Sequence, residues 1–189
     1  MLKRNPDFIG VYDNALSSEE CEELISFFEC SPKTIGEITK IGKGLHVDRD
    51  VKSNIELRRS FVSETPIIFE RLQKYTDKYI DEYESLNYIY PCDLVDRYTF
   101  QKFQNDDDGF KVWHTEHIPP EPHNKRVLVW MFYLNDAKSG TQFMHYPTVK
   151  SKKGRLIIWP SAFTHTHRSE PNKGLKYIMS GWISYVFAT

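Results

Sequence analysis

After residue 90 the chain breaks into short stretches rich in Val, Ile, Phe, Tyr and Trp, each closed by a turn, and this pattern restricts its fold more than any other feature. Residues 94–103, 111–118, 126–134, 141–145, 155–159, 165–168 and 176–187 read as strands. Between them lie turn signals such as Asn105-Asp-Asp-Asp-Gly109, Pro119-Pro120, Lys152-Lys153-Gly154 and Pro171-Asn172-Lys173-Gly174. Many short strands joined by tight turns point to a sandwich or jelly roll.

Two helical stretches come first. Ser17-Ser18-Glu19-Glu20 reads as an N-cap with a carboxylate three residues on, followed by an apolar face of Leu24, Ile25, Phe27 and Phe28. Over residues 63–83, Ile68, Leu72, Tyr75, Tyr79 and Tyr83 recur at helical spacing. Residues 34–60, polar and charged with Gly36, Gly42 and Gly44, read as a loop with at most a short strand, able to form a lid. Helices followed by strands predict a mainly β, α+β fold in which N-terminal helices brace one sheet from outside. No linker or repeat divides the 189 residues, so one domain is expected, with a helical part over 1–90 and a β core over 91–189.

Composition narrows the partners. With 25 basic and 26 acidic residues, the net charge of −1 gives no electrostatic reason to expect nucleic acid or an anionic membrane. The N-terminus lacks a signal-peptide apolar region and no long apolar run occurs, so a cytoplasmic protein is expected. Three widely spaced cysteines, Cys21, Cys30 and Cys92, read as reduced thiols.

Four of the seven histidines fall in two short stretches, Trp113-His-Thr-Glu-His117 and Phe163-Thr-His-Thr-His-Arg168. In a strand, alternate residues share a face, so His114 projects with Glu116 while His117 points away, and His165 projects with His167. Two neutral imidazoles and a carboxylate with open positions form the donor set of non-haem Fe(II) oxygenases. Zinc readings fail on spacing. His114-Thr-Glu-His117 is one residue short of a zincin motif, Pro119-Pro120 denies it a helix, and no cysteine pair follows as a zinc deaminase requires.

Residues 94–187 resemble the prolyl 4-hydroxylase-like branch of the Fe(II)/2-oxoglutarate-dependent dioxygenases. The ordered features are His114-Thr115-Glu116 in place of H-x-D, the strand from Arg126 to Asp136 with Tyr133-Leu134-Asn135, the turn Ser139-Gly-Thr-Gln-Phe143, the strand Lys153 to Pro160, His167-Arg-Ser-Glu-Pro171, and Lys176 to Trp182. The stretch from Asp7 to Ile25 is also similar to the group's opening helix. The resemblance implies a double-stranded β-helix, a cupin-like jelly-roll barrel, using Fe(II), 2-oxoglutarate and O2, with ascorbate as an accessory reductant. The expected reaction is hydroxylation of an unactivated C–H, most simply of a peptidyl proline, coupled to decarboxylation of 2-oxoglutarate to succinate and CO2. A free amino acid or small metabolite is the alternative substrate, and a catalytically silent metal-binding barrel the alternative function.

By the same resemblance His114 and Glu116 are proximal ligands. His167 is the distal one, preferred to His165 because it opens H-x-x-x-P and lies nine residues before Lys176. Lys176 would anchor the far carboxylate of 2-oxoglutarate. Tyr133, Ser180, Trp182 and Met131 would contact the co-substrate, with Thr141, Phe103 and His165 as further candidates. The chain departs from the family pattern at Glu116, one methylene longer than the usual aspartate, and at Phe103, which stands where a tyrosine is usual. His123 and Arg126 are expected near the mouth, and Asp106-Asp107-Asp108 as a solvated turn.

Overall fold

The computed structural model describes residues 7–40, 44–60, 65–89, 91–119 and 121–186. In chain order these form β1 (Gly10–Tyr12), α1 (Ser18–Cys30), β2 (Thr34–Ile35), β3 (Ile38–Lys40), β4 (Gly44–His46), β5 (Lys52–Ser53), β6 (Ile55–Arg59) and α2 (Pro66–Glu82). There follow β7 (Cys92–Phe103), β8 (Gly109–Phe110), β9 (Arg126–Tyr133), β10 (Gly140–Phe143), β11 (Val149–Lys150), β12 (Arg155–Pro160), β13 (His167–Ser169) and β14 (Lys176–Tyr185). The large antiparallel sheet has the order β1-β12-β9-β14-β7-β6-β2, and a smaller sheet has the order β11-β10-β13. None of the described helices is long and apolar enough to cross a membrane.

Strand parity divides the large sheet between two cores. Leu128, Trp130 and Phe132 of β9, with Leu156, Ile158, Phe100 and Met179, face the helices and pack on Phe28 of α1 and Ile68, Leu72 and Tyr79 of α2. The intervening residues face inward: Val129, Tyr133, Ile157, Trp159, Ile178 and Phe103 pack with Phe143 of β10. Two sheets closed on this inner cluster, with helices on the outer face, make the expected jelly roll. The expected capping box also forms, with Ser17 Oγ accepting from Glu20 N at 3.1 Å and Glu20 Oε2 accepting from Ser17 N at 2.7 Å.

The helical N-terminal part expected over 1–90 needs correction, because residues 34–60 carry strands β2 to β6 rather than a loop or lid. Strand β6 lies in the large sheet, pairing Ile55 to Arg59 with Lys102 to Tyr98 of β7. Charge density hid it. Glu56 is fully buried, and it is neutralised by Lys52 Nζ and Arg58 Nη2, each 2.6 Å from a different carboxylate oxygen. The Asp106–Asp108 tip is likewise no simple solvated turn. Asp108 is buried and accepts from Ser53 Oγ at 2.6 Å and from the amides of Asn105 and Gln104 at 2.9 and 3.0 Å. Burial works against its charge, but these donors more than offset it and lower the carboxyl pKa.

Gly181 lets β14 cross Trp130. A Cβ there would lie 2.5 Å from Cζ2 and 2.8 Å from Cε2 of a ring with no exposure. Gly181→Ala is therefore expected to cost about 2–3 kcal/mol of stability, since a rigid indole cannot yield without shifting the strand. Equilibrium urea unfolding measures this; a loss below about 0.5 kcal/mol would show that the sheet relaxes freely here.

Candidate metal centre

Residues 111–118 do not form a strand, so parity is not what brings His114 and Glu116 together. Backbone hydrogen bonds do it instead. His114 makes a single antiparallel bridge with His167, N to O at 3.0 Å one way and 2.9 Å the other. Two residues on, the Ser161 carbonyl accepts from Glu116 N at 3.1 Å, His117 N at 3.0 Å and Thr115 Oγ1 at 2.6 Å. Ser161 is itself buried and fixed to β9, its N donating to Val127 O at 2.9 Å and its Oγ to Arg126 O at 2.7 Å. One donor atom from each of His114, Glu116 and His167 consequently lies within 4.8 Å of the others. His117 is excluded by exposure and by its Nδ1 contact with Arg126 O at 2.9 Å.

The two imidazoles are oriented alike. His114 Nδ1 lies 3.1 Å from Val112 O and His167 Nδ1 lies 2.9 Å from His165 O. A carbonyl can only accept, so each Nδ1 carries a proton and Nε2 is the nitrogen left to offer a lone pair to an ion. Phe110 stacks on the His114 ring at 3.7 Å. Burial and neighbouring His114 push the His167 pKa down to about 3, leaving it a neutral donor. Burial alone would raise the Glu116 carboxyl; adjacent His114 and Arg126 outweigh it and hold the pKa at about 2. Two imidazole nitrogens and a carboxylate oxygen suit Fe(II) or another divalent first-row ion.

His165 does not join this cluster. The strand expected over 165–168 begins at His167, and His165 sits in a 3-10 turn, Phe163–His165. Its Nε2 reaches Asp7 O at 2.8 Å, its Nδ1 meets Thr164 Oγ1 at 2.9 Å, and Tyr146 stacks on the ring. Both nitrogens are engaged, and Nε2 ties down the N-terminal segment.

The other candidates line the inner face beside the cluster. Lys176 is 2% exposed, with its Nζ 4.6 Å from the Phe103 ring centroid and no salt-bridge partner among the described residues. Burial lowers its pKa to about 8, with Glu170 offsetting only part of the effect. Phe103 is the register partner of Lys176 across β7 and β14, so the hydroxyl lost at this position is replaced by a ring face for the ammonium. Tyr133 OH meets Thr141 Oγ1 at 2.7 Å, and Thr141 Oγ1 donates to Met131 Sδ at 3.8 Å. Ser180 Oγ accepts from Gln101 Nε2 at 3.1 Å, and Gln101 Oε1 accepts from Asn54 Nδ2 at 2.9 Å. Trp182 directs its Nε1 to Glu116 Oε2 at 3.1 Å.

Sequence reasoning missed Ser161 and Gln101 and placed Arg126 only near the mouth. Arg126 Nη1 is 2.5 Å from Glu116 Oε2, and its guanidinium lies 3.6 Å from the Trp182 ring centroid. Ser161 acts through a backbone carbonyl, which carries no sequence signal. The Gln101–Ser180 pair was foreshadowed only by the inward parity of residue 101 in β7.

Residues 97–184 match the family model of the 2OG-Fe(II) oxygenase superfamily. The stretch carrying this site is thus similar to a 2OG-Fe(II) oxygenase domain. A viral collagen prolyl hydroxylase from Paramecium bursaria Chlorella virus-1, solved with 2OG, is similar at 19% identity and TM-score 0.68, covering 95% of this chain and 97% of that one. A Trichoplax adhaerens prolyl hydroxylase in complex with a hypoxia inducible factor peptide fragment is similar at 14% identity and TM-score 0.71, covering 95% and 84%. A Pseudomonas putida prolyl-4-hydroxylase is similar at 11% identity and TM-score 0.67, covering 95% and 93%. At such identities the likeness is one of fold. A search of curated protein sequences finds no match.

Proposed function

We propose that the chain hydroxylates an unactivated C–H of a peptidyl proline, coupled to decarboxylation of 2-oxoglutarate to succinate and CO2. The supporting observation is the convergence on one inner face of a three-donor cluster and a buried ammonium without a salt-bridge partner among the described residues. A buried cation calls for an anion, and the far carboxylate of 2-oxoglutarate supplies one.

In this reading His114, Glu116 and His167 hold Fe(II), and Lys176 pairs with the co-substrate carboxylate. Tyr133 and Ser180 hydrogen-bond the co-substrate, and Met131 and Thr141 pack beside it. Trp182 is assigned to the Glu116 side of the site, and Phe103 to supporting Lys176. Bound in this cluster, Fe(II) supplies oxygen activation against the chelated co-substrate. The chain's own task is to fix the three donors, keep His167 neutral and exclude water. Trp159, Phe143 and Ile178 of the inner core do the last. Residues 1–189 are taken as one catalytic unit, supported by the pairing of β6 with β7.

A peptide substrate is favoured by the exposed apolar residues on segments adjoining the donors. Trp113 precedes His114, Phe163 stands 78% exposed in the turn before His167, and Met144 N donates to Thr166 O. Aromatic faces of this kind suit a proline ring. The peptide-bound Trichoplax relative adds support at the level of fold.

The test is aerobic incubation of the purified protein with Fe(II), ascorbate, 2-oxoglutarate and a panel of proline-rich peptides. Succinate formation and a +16 Da product on proline are expected. Succinate with a +16 Da free amino acid or metabolite would move the substrate class. Absence of succinate, together with absence of an anaerobic Fe(II)–2-oxoglutarate charge-transfer band, would overturn the enzyme reading.

A further inference from the structure

Glu116 carries one methylene more than the aspartate of the family pattern, and the extra length has a visible use. Its two oxygens are not equivalent. Oε1 lies 3.6 Å from His114 Nε2, on the side of the donor cluster. Oε2 is held by Arg126 Nη1 at 2.5 Å and by Trp182 Nε1 at 3.1 Å, with the guanidinium stacked on the Trp182 ring.

A bulge delivers Arg126 to this position. Along β14, Ile183 and Ser184 are consecutive, yet their partners on β9 are Leu128 and Arg126, so Val127 is an extra residue. Val127 and Leu128 both pack in the helix-side core. Regular alternation would put Arg126 on that side with Leu128 and Trp130. The bulge shifts the parity by one and turns Arg126 inward with Val129.

We propose that Arg126, with Trp182, is a positioning residue that holds Glu116 to single-oxygen ligation. This proposal rests on the metal-centre reading above. The chemical consequence is a matter of open positions. A six-coordinate ion with three protein donors keeps three positions; a chelating co-substrate takes two and leaves one for oxygen. A glutamate flexible enough to chelate through both oxygens would remove that last position. Occupying Oε2 with two N–H donors prevents this, which lets the longer carboxylate serve where a shorter one is usual.

The experiment loads the full chain with Mn(II) and counts exchangeable metal-bound waters by electron paramagnetic resonance line broadening in 17O-enriched water, without co-substrate. Three waters are expected in the unmodified protein and one fewer in Arg126→Met, with Arg126→Lys restoring the count at least in part. Trp182→Phe, which deletes only the N–H donor and keeps an aromatic ring, is expected to lower the count in the same direction. It keeps the test available should Arg126→Met not fold. In a Glu116→Asp background the carboxylate ends a methylene short of Arg126, so adding Arg126→Met should leave the count unchanged. Mn(II) binding with an unaltered water count in both Arg126→Met and Trp182→Phe would overturn this proposal alone. Failure of the unmodified protein to bind Mn(II) would overturn it together with the metal-centre reading.

Discussion

Lys176→Met is expected to weaken 2-oxoglutarate binding by about 100-fold or more while making the protein more stable in its absence. The first effect follows from removing one partner of a buried ion pair, which typically costs about 3–5 kcal/mol. The second follows from the resting state, in which the Lys176 ammonium is buried against the Phe103 ring with no salt-bridge partner among the described residues. Its pKa falls from 10.5 to about 8 on folding, chiefly through burial, so below pH 8 the folded state carries a charge that the unfolded chain solvates better. The sign is fixed by proton counting. Between about pH 8 and 10.5 the unfolded chain binds more protons at this site, so the stability of the unmodified protein rises with pH across that window. The methionine variant lacks that slope and gains about 1–3 kcal/mol at neutral pH, methionine being close in volume to the lysine stem. Anaerobic calorimetric titration of 2-oxoglutarate and urea unfolding at pH 7 and pH 9.5 measure the two effects. Co-substrate affinity within about threefold of the unmodified protein would remove Lys176 from the anchoring role.

The paired variants His167→Ala and His165→Ala are expected to separate donor from strap. His167→Ala should reduce Fe(II) affinity by more than about 100-fold, exceeding the 10–100-fold usual for loss of a residue that only supports a ligand. His165→Ala should keep metal affinity within about tenfold, because the group that orients His167 is the backbone carbonyl of residue 165, which alanine retains. It should instead cost about 1–3 kcal/mol of stability, since the side chain tethers Asp7 O and stacks with Tyr146. Fluorescence-quench titration with Fe(II) or Co(II) under nitrogen, alongside thermal melts, gives both numbers. The reverse ranking in metal affinity would transfer the ligand assignment to His165.

Much of the framework was legible in the residues. The inward set Val129, Tyr133, Ile157, Ile178 and Ser180 is readable from strand alternation because β9, β12 and β14 are regular over most of their length, and alternation is what burial on two faces demands. His167, which the resemblance prefers to His165 for its spacing to Lys176, is the one of the two that lies with His114 and Glu116. Elsewhere local pattern and structure parted. Strand β6 carries Glu56, Arg58 and Arg59, and the burial of Glu56 depends on ion pairs with its near neighbours Lys52 and Arg58, whose charges read locally as a solvated stretch. The Trp113–His117 stretch looked like a strand, but its geometry comes from one bridge to His167 and one carbonyl at Ser161. Arg126 acquired its place beside Glu116 from a register slip against β14, which no window of sequence around residue 126 encodes.

The supports of the three donors are drawn largely from peptide groups. Val112 O and His165 O set the two imidazoles, Ser161 O suspends Thr115 to His117, and reciprocal amides join His114 to His167. Side-chain exchange at positions 112, 161 or 165 leaves those carbonyls in place as long as the local trace survives. The inner shell is consequently buffered against substitution: it can hold its aim while the residues that build it drift, and an alanine scan would register little where the structural debt is greatest. Glu116 is the exception, since its second oxygen depends on the replaceable side chains of Arg126 and Trp182. Among the residues that support the donors, sensitivity of metal binding to side-chain exchange should thus be lopsided, concentrated on the carboxylate flank and muted on the imidazole flank.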